Sequence, residues 1–580
     1  MINILKKPSY STIVIFLFFL IIPLYNFNHH RYAKGEGVID WDIKSYYAYL
    51  PATFIYHDLS LSFIDSASNQ ELKKWIWPII TPTGKKAILT TMGLSVLYAP
   101  FFFIAHTYAS LSPQYEANGY SLPYHVALQF STYIYFLLSL LVLKRILSKY
   151  FNDKVTALTL LAIGAGTNLF FYVGYAAPMP HGYNFLLITL FIFILERWTE
   201  NITVKDTILL GLLSGWVTLI RPTNIIILIL ILLWQVGSWK DLKSRIQLLL
   251  QKWPYILLMA FFFVLIWTPQ FTYWKYVSGK FFYFSYGERQ DRFYFNNPQI
   301  WKILFSYEKG WFVYTPMMLL AVFGIFILPK KKIKLALPIV VYLVLMIYVL
   351  SSWWCWWYGG SFGQRSMVDF YGLMAIPLAT IIDSGLKKRI YKYLITFLIL
   401  ILIAYNQFNI KQYRNMAISF WWMNKEGYWE NFLKVKPTCK YWNIAMHPDY
   451  VKARLGIYEP IAPYNKNQVV SDEMLINQII NENRNNQILI DSLISGKKDN
   501  SIKIDSILKD YAKQIVDIQM AEPYFYKIKI DYYLNQIEHC VSWKKEIEKK
   551  AKREKITYQQ MAMIEAKRIY NNYSQKYDQR

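Results

Sequence analysis

Apolar runs of roughly 18 or more residues recur from Ser11 to Gln407, each long enough to cross a hydrocarbon core ~30 Å thick. Lipid offers no partner to backbone N–H and C=O groups, so a chain that places such runs in a bilayer must satisfy them within each helix. The 48 Tyr, 37 Phe and 21 Trp, in a chain that is 55% hydrophobic, fit such a setting, where aromatic rings collect at the water–lipid boundary. The expected class is an all-α polytopic membrane protein, a bundle of about 11–13 transmembrane helices. Spans are read at 10–27, 122–143, 155–177, 183–198, 206–220, 222–237, 254–274, 311–328, 333–350, 367–383 and 391–408.

The net charge of +26 does not point to nucleic acid, because of where the charge lies. Lys144, Arg145, Lys149 and Lys154 form one cluster, and Lys240, Lys243, Arg245 and Lys252 a second. Lys330, Lys331, Lys332 and Lys334 form a third, and Lys387, Lys388 and Arg389 a fourth. All fall in short gaps between apolar runs, as positive-inside loops do, and they favour anionic lipid surfaces. With Lys6 and Lys7 also inside and no small-residue cleavage site after the first run, 10–27 reads as a retained signal anchor. Residues 28–86, a large first external loop with juxtamembrane helices, then face outward together with 178–182, 275–310 and 351–366. The stretch 87–110 conflicts with this scheme if it crosses, because the Lys144–Lys154 loop would then flip outward. A re-entrant or interfacial hairpin broken near Pro100 removes the conflict. The three cysteines lack metal-ligand spacing and imply no disulfide framework.

The transmembrane domain is assigned to 1–410. An amphipathic membrane-proximal connector follows at 411–462. A soluble helical region occupies 463–580, external by parity, with helix-period apolar spacing in 472–484, 502–520, 526–538 and 541–575.

Outward-facing residues suited to chemistry begin with Asp40 and Asp42 in GVIDWDIKSYYAYLPATFIY. An acid among aromatics at a membrane boundary is costly unless it is used. Asp42 is the stronger candidate for a general base and Asp40 the supporting one; the bland reading is that both solvate a loop. Tyr46 and Tyr47 follow as interfacial aromatics that pin the acid at the surface. In TPTGKKAIL, Lys85 either meets an anion or snorkels from a helix end. In APMPHGYNF, His181 either serves the helix start or bonds a sugar hydroxyl, a phosphate or Asp42. Arg221, in LIRPTN, caps carbonyls or binds phosphate. WWCWWYGGSFGQR carries Trp357, Gln364 and Arg365 on a glycine-rich external turn, where a guanidinium beside exposed N–H groups suits a phosphodiester and indoles suit sugar faces. Arg289, Arg292 and Lys309 are supporting cations. No P-loop, GxGxxG, HExxH, CxxC or nucleophile elbow occurs. No metal site is expected.

In their order, WDIKSYYAYLPA, PTGKKAIL, PMPHGYNF, LIRPTN, GWFVYTPMM and WWYGGSFGQR resemble the GT-C superfamily of polyprenyl-phosphate-sugar-dependent membrane glycosyltransferases. The nearest are bacterial proteins similar to protein O-mannosyltransferases and to the lipid A aminoarabinose transferase. The likeness covers about residues 10–440. It implies a GT-C-like bundle and an inverting, metal-independent transferase in the bacterial inner membrane with its active site facing the periplasm. A polyprenyl-phosphate sugar would be the donor substrate, with no further cofactor, and a glycan, lipid or protein the acceptor. Asp42 matches the external-loop aspartate that acts as base, while Lys44 and Ser45 stand where some branches carry a second acid. From the residue readings above, the candidate phosphate ligands are Arg365, Lys85 and Arg221, and the candidate sugar or acceptor contacts His181, Tyr46, Tyr47, Trp357 and Gln364. The alternative is a flippase or transporter of lipid-linked glycans without catalytic activity, which predicts charged groups through mid-bilayer and symmetric halves.

Overall fold

In the computed structural model, residues 8–29, 38–66 and 72–438 are described continuously, with parts of 441–578 beyond them. Lys6, Lys7, Cys439, Cys540 and most of the helices expected at 472–484 and 526–538 lie outside the described residues. Contacts divide the chain into two compact units, Met1–Lys411 and Gln412–Arg580.

The first unit is helical apart from one short hairpin. It runs α1 (Tyr10–His29), α2 (Asp42–Phe54), the antiparallel pair β1 (Pro78–Ile80) and β2 (Lys86–Ile88), α3 (Gly93–Leu111), α4 (Leu122–Tyr150), α5 (Asp153–Ala165), α6 (Leu169–Gly174), α7 (Pro180–Glu200) and α8 (Val204–Ile220). After Arg221 come a 3-10 segment (Pro222–Leu228) and α9 (Ile229–Leu233), then α10 (Trp239–Gln251), α11 (Trp253–Ser278), α12 (Ile300–Phe305), α13 (Trp311–Tyr314), α14 (Met317–Ile325) and α15 (Ala336–Ser351). A 3-10 segment (Arg365–Phe370) leads into α16 (Tyr371–Leu386), and α17 (Arg389–Arg414) follows. Among the described residues seven helices are long and apolar enough to cross a membrane, and 222–233 and 336–351 form shorter apolar helices. The chain is an all-α polytopic membrane protein.

Two runs read as single spans are each two helices. The 155–177 run breaks between Ala165 and Leu169, and the 311–328 run between Tyr314 and Met317. A broken helix leaves backbone carbonyls without intrahelical partners, which apolar surroundings do not tolerate. Here α17 supplies the donors. Asn406 Nδ2 donates to the carbonyls of Ala165 (3.0 Å) and Thr167 (2.8 Å), and Gln407 Nε2 donates to that of Ala165 (2.6 Å).

The bundle has two chemically different ends. At one, Glu196 near the end of α7 accepts from Lys149, Tyr150 and the Trp234 indole, and Lys331 pairs with Asp383 at the end of α16. Lys144 donates to Ser9 and Thr12 at the start of α1, and Ser11 to Asp153 at the start of α5. At the other end lie the starts of α4 and α7, joined through Ser131, Thr132 and Tyr183, and the close of α8. Helix α1 therefore runs from the basic end to the opposite end and α4 runs back. The segment between them makes no net crossing.

That resolves the conflict over 87–110. Helix α3 continues through Pro100 as 19 residues, so the expected break is absent. Trp216 of α8 donates to the Gly93 carbonyl (2.8 Å), Ser95 Oγ to that of Tyr46, and His106 bonds Tyr124 at the start of α4 (2.6 Å). Both halves of α3 thus pack at the end away from the basic loops, and one side of it (Val96, Phe103, Ile104, Leu111) stays exposed. It does not run from one end of the bundle to the other, despite a length and hydropathy that would span.

In the second unit, described helices cover Lys425–Glu430, Tyr450–Arg454, Ile504–Met520, Val541–Glu554 and Tyr558–Asp578. Ile507, Leu508, Tyr511 and Ala512 are buried along one stripe of Ile504–Met520, the spacing of an amphipathic helix.

Candidate functional site

Helix α2 begins at Asp42, with Trp41 before it at a φ of 54°. Its next residues, Ile43 to Ala52, are all buried, so the helix is locked by its body while its first residue reaches outward. The Asp42 side chain is 44% exposed and accepts from Arg365 Nη2 at 2.8 Å; Arg365 is 15% exposed. Asp40 turns away to Lys44 (3.2 Å), whose ammonium lies over the rings of Trp75 and Trp77.

Arg365 opens the 3-10 segment that continues into α16, and four residues on Asp369 is fully buried. Asp369 accepts four hydrogen bonds: from His181 Nδ1 (2.7 Å), Asn184 Nδ2 (2.8 Å), Arg221 Nη1 (3.1 Å) and Asn224 Nδ2 (3.2 Å). An ionised carboxylate only accepts, so His181 donates from Nδ1 and its buried Nε2 is left without a partner. Arg221 also lies over the Tyr358 ring, 5.6 Å from its centre. The two arginines feel each other's charge. Tyr46, one turn along α2 from Asp42, registers the whole group. Burial raises its phenol above the ordinary value and Asp42 adds to this; Arg221 and Arg365 pull it down, and Asp369 again pushes it up.

The glycine-rich turn is held rather than flexible. Phe362 exchanges both backbone bonds with the Tyr172 hydroxyl (3.0 Å each), and the buried Lys309 donates to the Ser361 carbonyl (2.5 Å). Tyr358, Gly359 and Gly363 take positive φ of 57°, 64° and 58°, and a Cβ on Gly363 would stand 2.9 Å from that of Tyr314. Burial, with the nearby Arg365 charge, holds the Lys309 ammonium well below the usual lysine range. The turn therefore fixes where Arg365 starts.

Asp42, Arg365, Arg221, His181 and Tyr46 are thus brought into one electrostatic group. Other expected residues are placed elsewhere, for identifiable reasons. Lys85 sits in the β1–β2 turn, donates to the Tyr276 carbonyl (3.0 Å) and lies over that ring, at the close of α11. The Tyr47 hydroxyl donates to the Gly119 carbonyl (2.6 Å) in a fully buried setting. Gln364 is fully buried with its amide committed to the Trp356 carbonyl (3.0 Å) and its carbonyl to Ser366 (3.1 Å), and Trp357 is 1% exposed between Trp354 and Trp356. Neither offers a face to a sugar. Arg221 bonds a carboxylate rather than capping carbonyls, and His181 bonds Asp369 rather than Asp42. Arg292 lies over the Tyr294 ring.

The residue that sequence reasoning missed is Asp369. An acid inside the apolar run 367–383 was its signal, since such residues are expensive in a span and need a partner. Among the described residues no group of three or more His, Cys, Asp and Glu is arranged to hold a metal ion. Comparison with known proteins finds no matching family model, no matching curated protein and no matching solved structure.

Proposed function

We propose that this protein is an integral membrane glycosyltransferase that moves a sugar from a polyprenyl-phosphate donor to a cell-envelope acceptor, with inversion, on the outer face of the bacterial inner membrane. The reading rests on one observation above the rest: a half-exposed carboxylate at a helix start, Asp42, 2.8 Å from a guanidinium on a fixed turn. Transfer to a hydroxyl needs a base for the acceptor proton as the bond to the anomeric carbon forms. A phosphate leaving group needs cations more than it needs an acid. Asp42 supplies the first and Arg365 with Arg221 the second. The acceptor hydroxyl gives its proton to Asp42, the glycosyl–phosphate bond breaks, and the electron pair stays on the phosphate. The ionic clusters lie at the ends of the bundle, whereas a transporter of lipid-linked glycans calls for charge along its middle.

The test is incubation of the reconstituted protein with a panel of undecaprenyl-phosphate sugars and an envelope extract, with acceptors read by mass. Asp42→Asn is expected to abolish transfer while expression and melting temperature hold. Full transfer by that variant would remove Asp42 as the base, and absence of transfer from any lipid-linked donor by the wild-type protein would remove the reading.

A further inference from the structure

Two arginines at this site are held by carboxylates of opposite character. Arg221 is tied to Asp369, which has no exposure and three further donors on it. Arg365 is tied through one amino group to Asp42, which is 44% exposed. A guanidinium carries five N–H donors, and no other hydrogen bond ties either one among the described residues. An anion that reaches them meets one cation whose partner has no exposure and one whose partner is 44% exposed. Displacing Asp369 from Arg221 would leave a buried carboxylate with three donors and no guanidinium, whereas displacing Asp42 returns a carboxylate to water at small cost.

We infer that Asp369 is a positioning residue that holds Arg221 as the fixed arm of a two-arginine phosphate cradle, and that Asp42 is the arm an incoming phosphate ester displaces from Arg365. This rests on the glycosyltransferase reading and adds an order of events to it. Bound phosphate takes over Arg365, and only then is the Asp42 carboxylate released to accept a proton. His181, donating to the same Asp369, is held in one tautomer by the same anchor.

The probe is undecaprenyl phosphate in detergent, with undecaprenol as the uncharged control, and its affinity is measured by thermal shift on the full chain. Asp42→Asn removes the competitor for Arg365, so it should bind the phosphate several-fold more tightly than wild type. Asp369→Asn should bind it roughly tenfold more weakly, the loss of one charge-assisted bond. Should that variant fail to fold, Asn184→Ala and Asn224→Ala each remove one donor from Asp369 without stranding a charge, and each should weaken binding by a smaller factor. Unchanged or weaker binding by Asp42→Asn overturns the exchange. Wild-type affinity in a folded Asp369→Asn, or in both asparagine variants, overturns the positioning role, and equal binding of phosphate and alcohol overturns the cradle. The glycosyltransferase reading fails separately. The binding pattern without sugar transfer sinks that reading alone, and transfer without the pattern sinks this inference alone.

Discussion

Arg221 and Arg365 show how much a charge's surroundings decide its worth. With Asp42 44% exposed and Arg365 15%, the Asp42–Arg365 pair lies nearer the surface case of about 0–1 kcal/mol, so under the proposed function it can be exchanged at small cost. Removing one partner of a buried pair such as Asp369–Arg221 costs about 3–5 kcal/mol, because the other charge is stranded. Between them, the Tyr172 hydroxyl serves both backbone groups of Phe362 in the turn, beside Lys309 on the Ser361 carbonyl. Tyr172→Phe leaves the buried backbone N–H and C=O of Phe362 without that partner, at a cost of about 1–3 kcal/mol. A lowered melting temperature is expected, and transfer should fall as Arg365 loses its fixed start. An unchanged melting temperature would show that the turn is held by other means.

At the scale of elements, legibility followed how local each cause is. Helices α1, α4, α11 and α17 were readable because hydropathy acts over one contiguous run. The breaks in 155–177 and 311–328 were not, because the groups that make a break tolerable come from a distant helix. Asp42 and Arg365 were readable as polar residues in costly places, but their pairing spans 323 positions of sequence. Trp357, Gln364 and Tyr47 looked available and are buried, since one sequence carries no measure of what packs on a turn. The placement of α3 can be checked directly. In a cysteine-free background, single cysteines replacing Thr83 and Gln114 should react with an impermeant maleimide from the same side of the membrane, and one replacing Lys154 from the other. Opposite reactivity at the first two positions would mean that α3 crosses. A second element-scale test concerns α14 against α16. A Cβ on Gly324 would stand 1.9 Å from the Pro377 carbonyl oxygen, so Gly324→Ala must push the helices apart. A loss of about 1–3 kcal/mol is expected, seen as a lower melting temperature.

Over the whole membrane unit, ion pairs gather at the two ends: Lys149–Glu196, Lys331–Asp383 and Arg197–Asp206 at one, and Asp42–Arg365, Asp369–Arg221 and Asp40–Lys44 at the other. Long apolar helices join the two, and exposed apolar side chains such as Phe261 and Leu400 line their outer surfaces. The basic clusters that the positive-inside rule would group together do meet at one of these ends. The unit is also tied across its length by the donors that α17 gives to the α5–α6 break. Asn406→Leu, which keeps the bulk and removes the amide, should cost about 1–3 kcal/mol, read as earlier thermal aggregation in detergent; a wild-type profile would refute the role. The residues that complete the break at 165–168 lie about 240 positions later in the chain. A ribosome building this protein inserts α5 and α6 with bare carbonyls and must make ten further helices and α17 before the donors arrive. Until then something else has to satisfy that backbone, whether water, lipid headgroups or the insertion machinery, so the joint marks a stretch of synthesis during which the nascent protein depends on its surroundings.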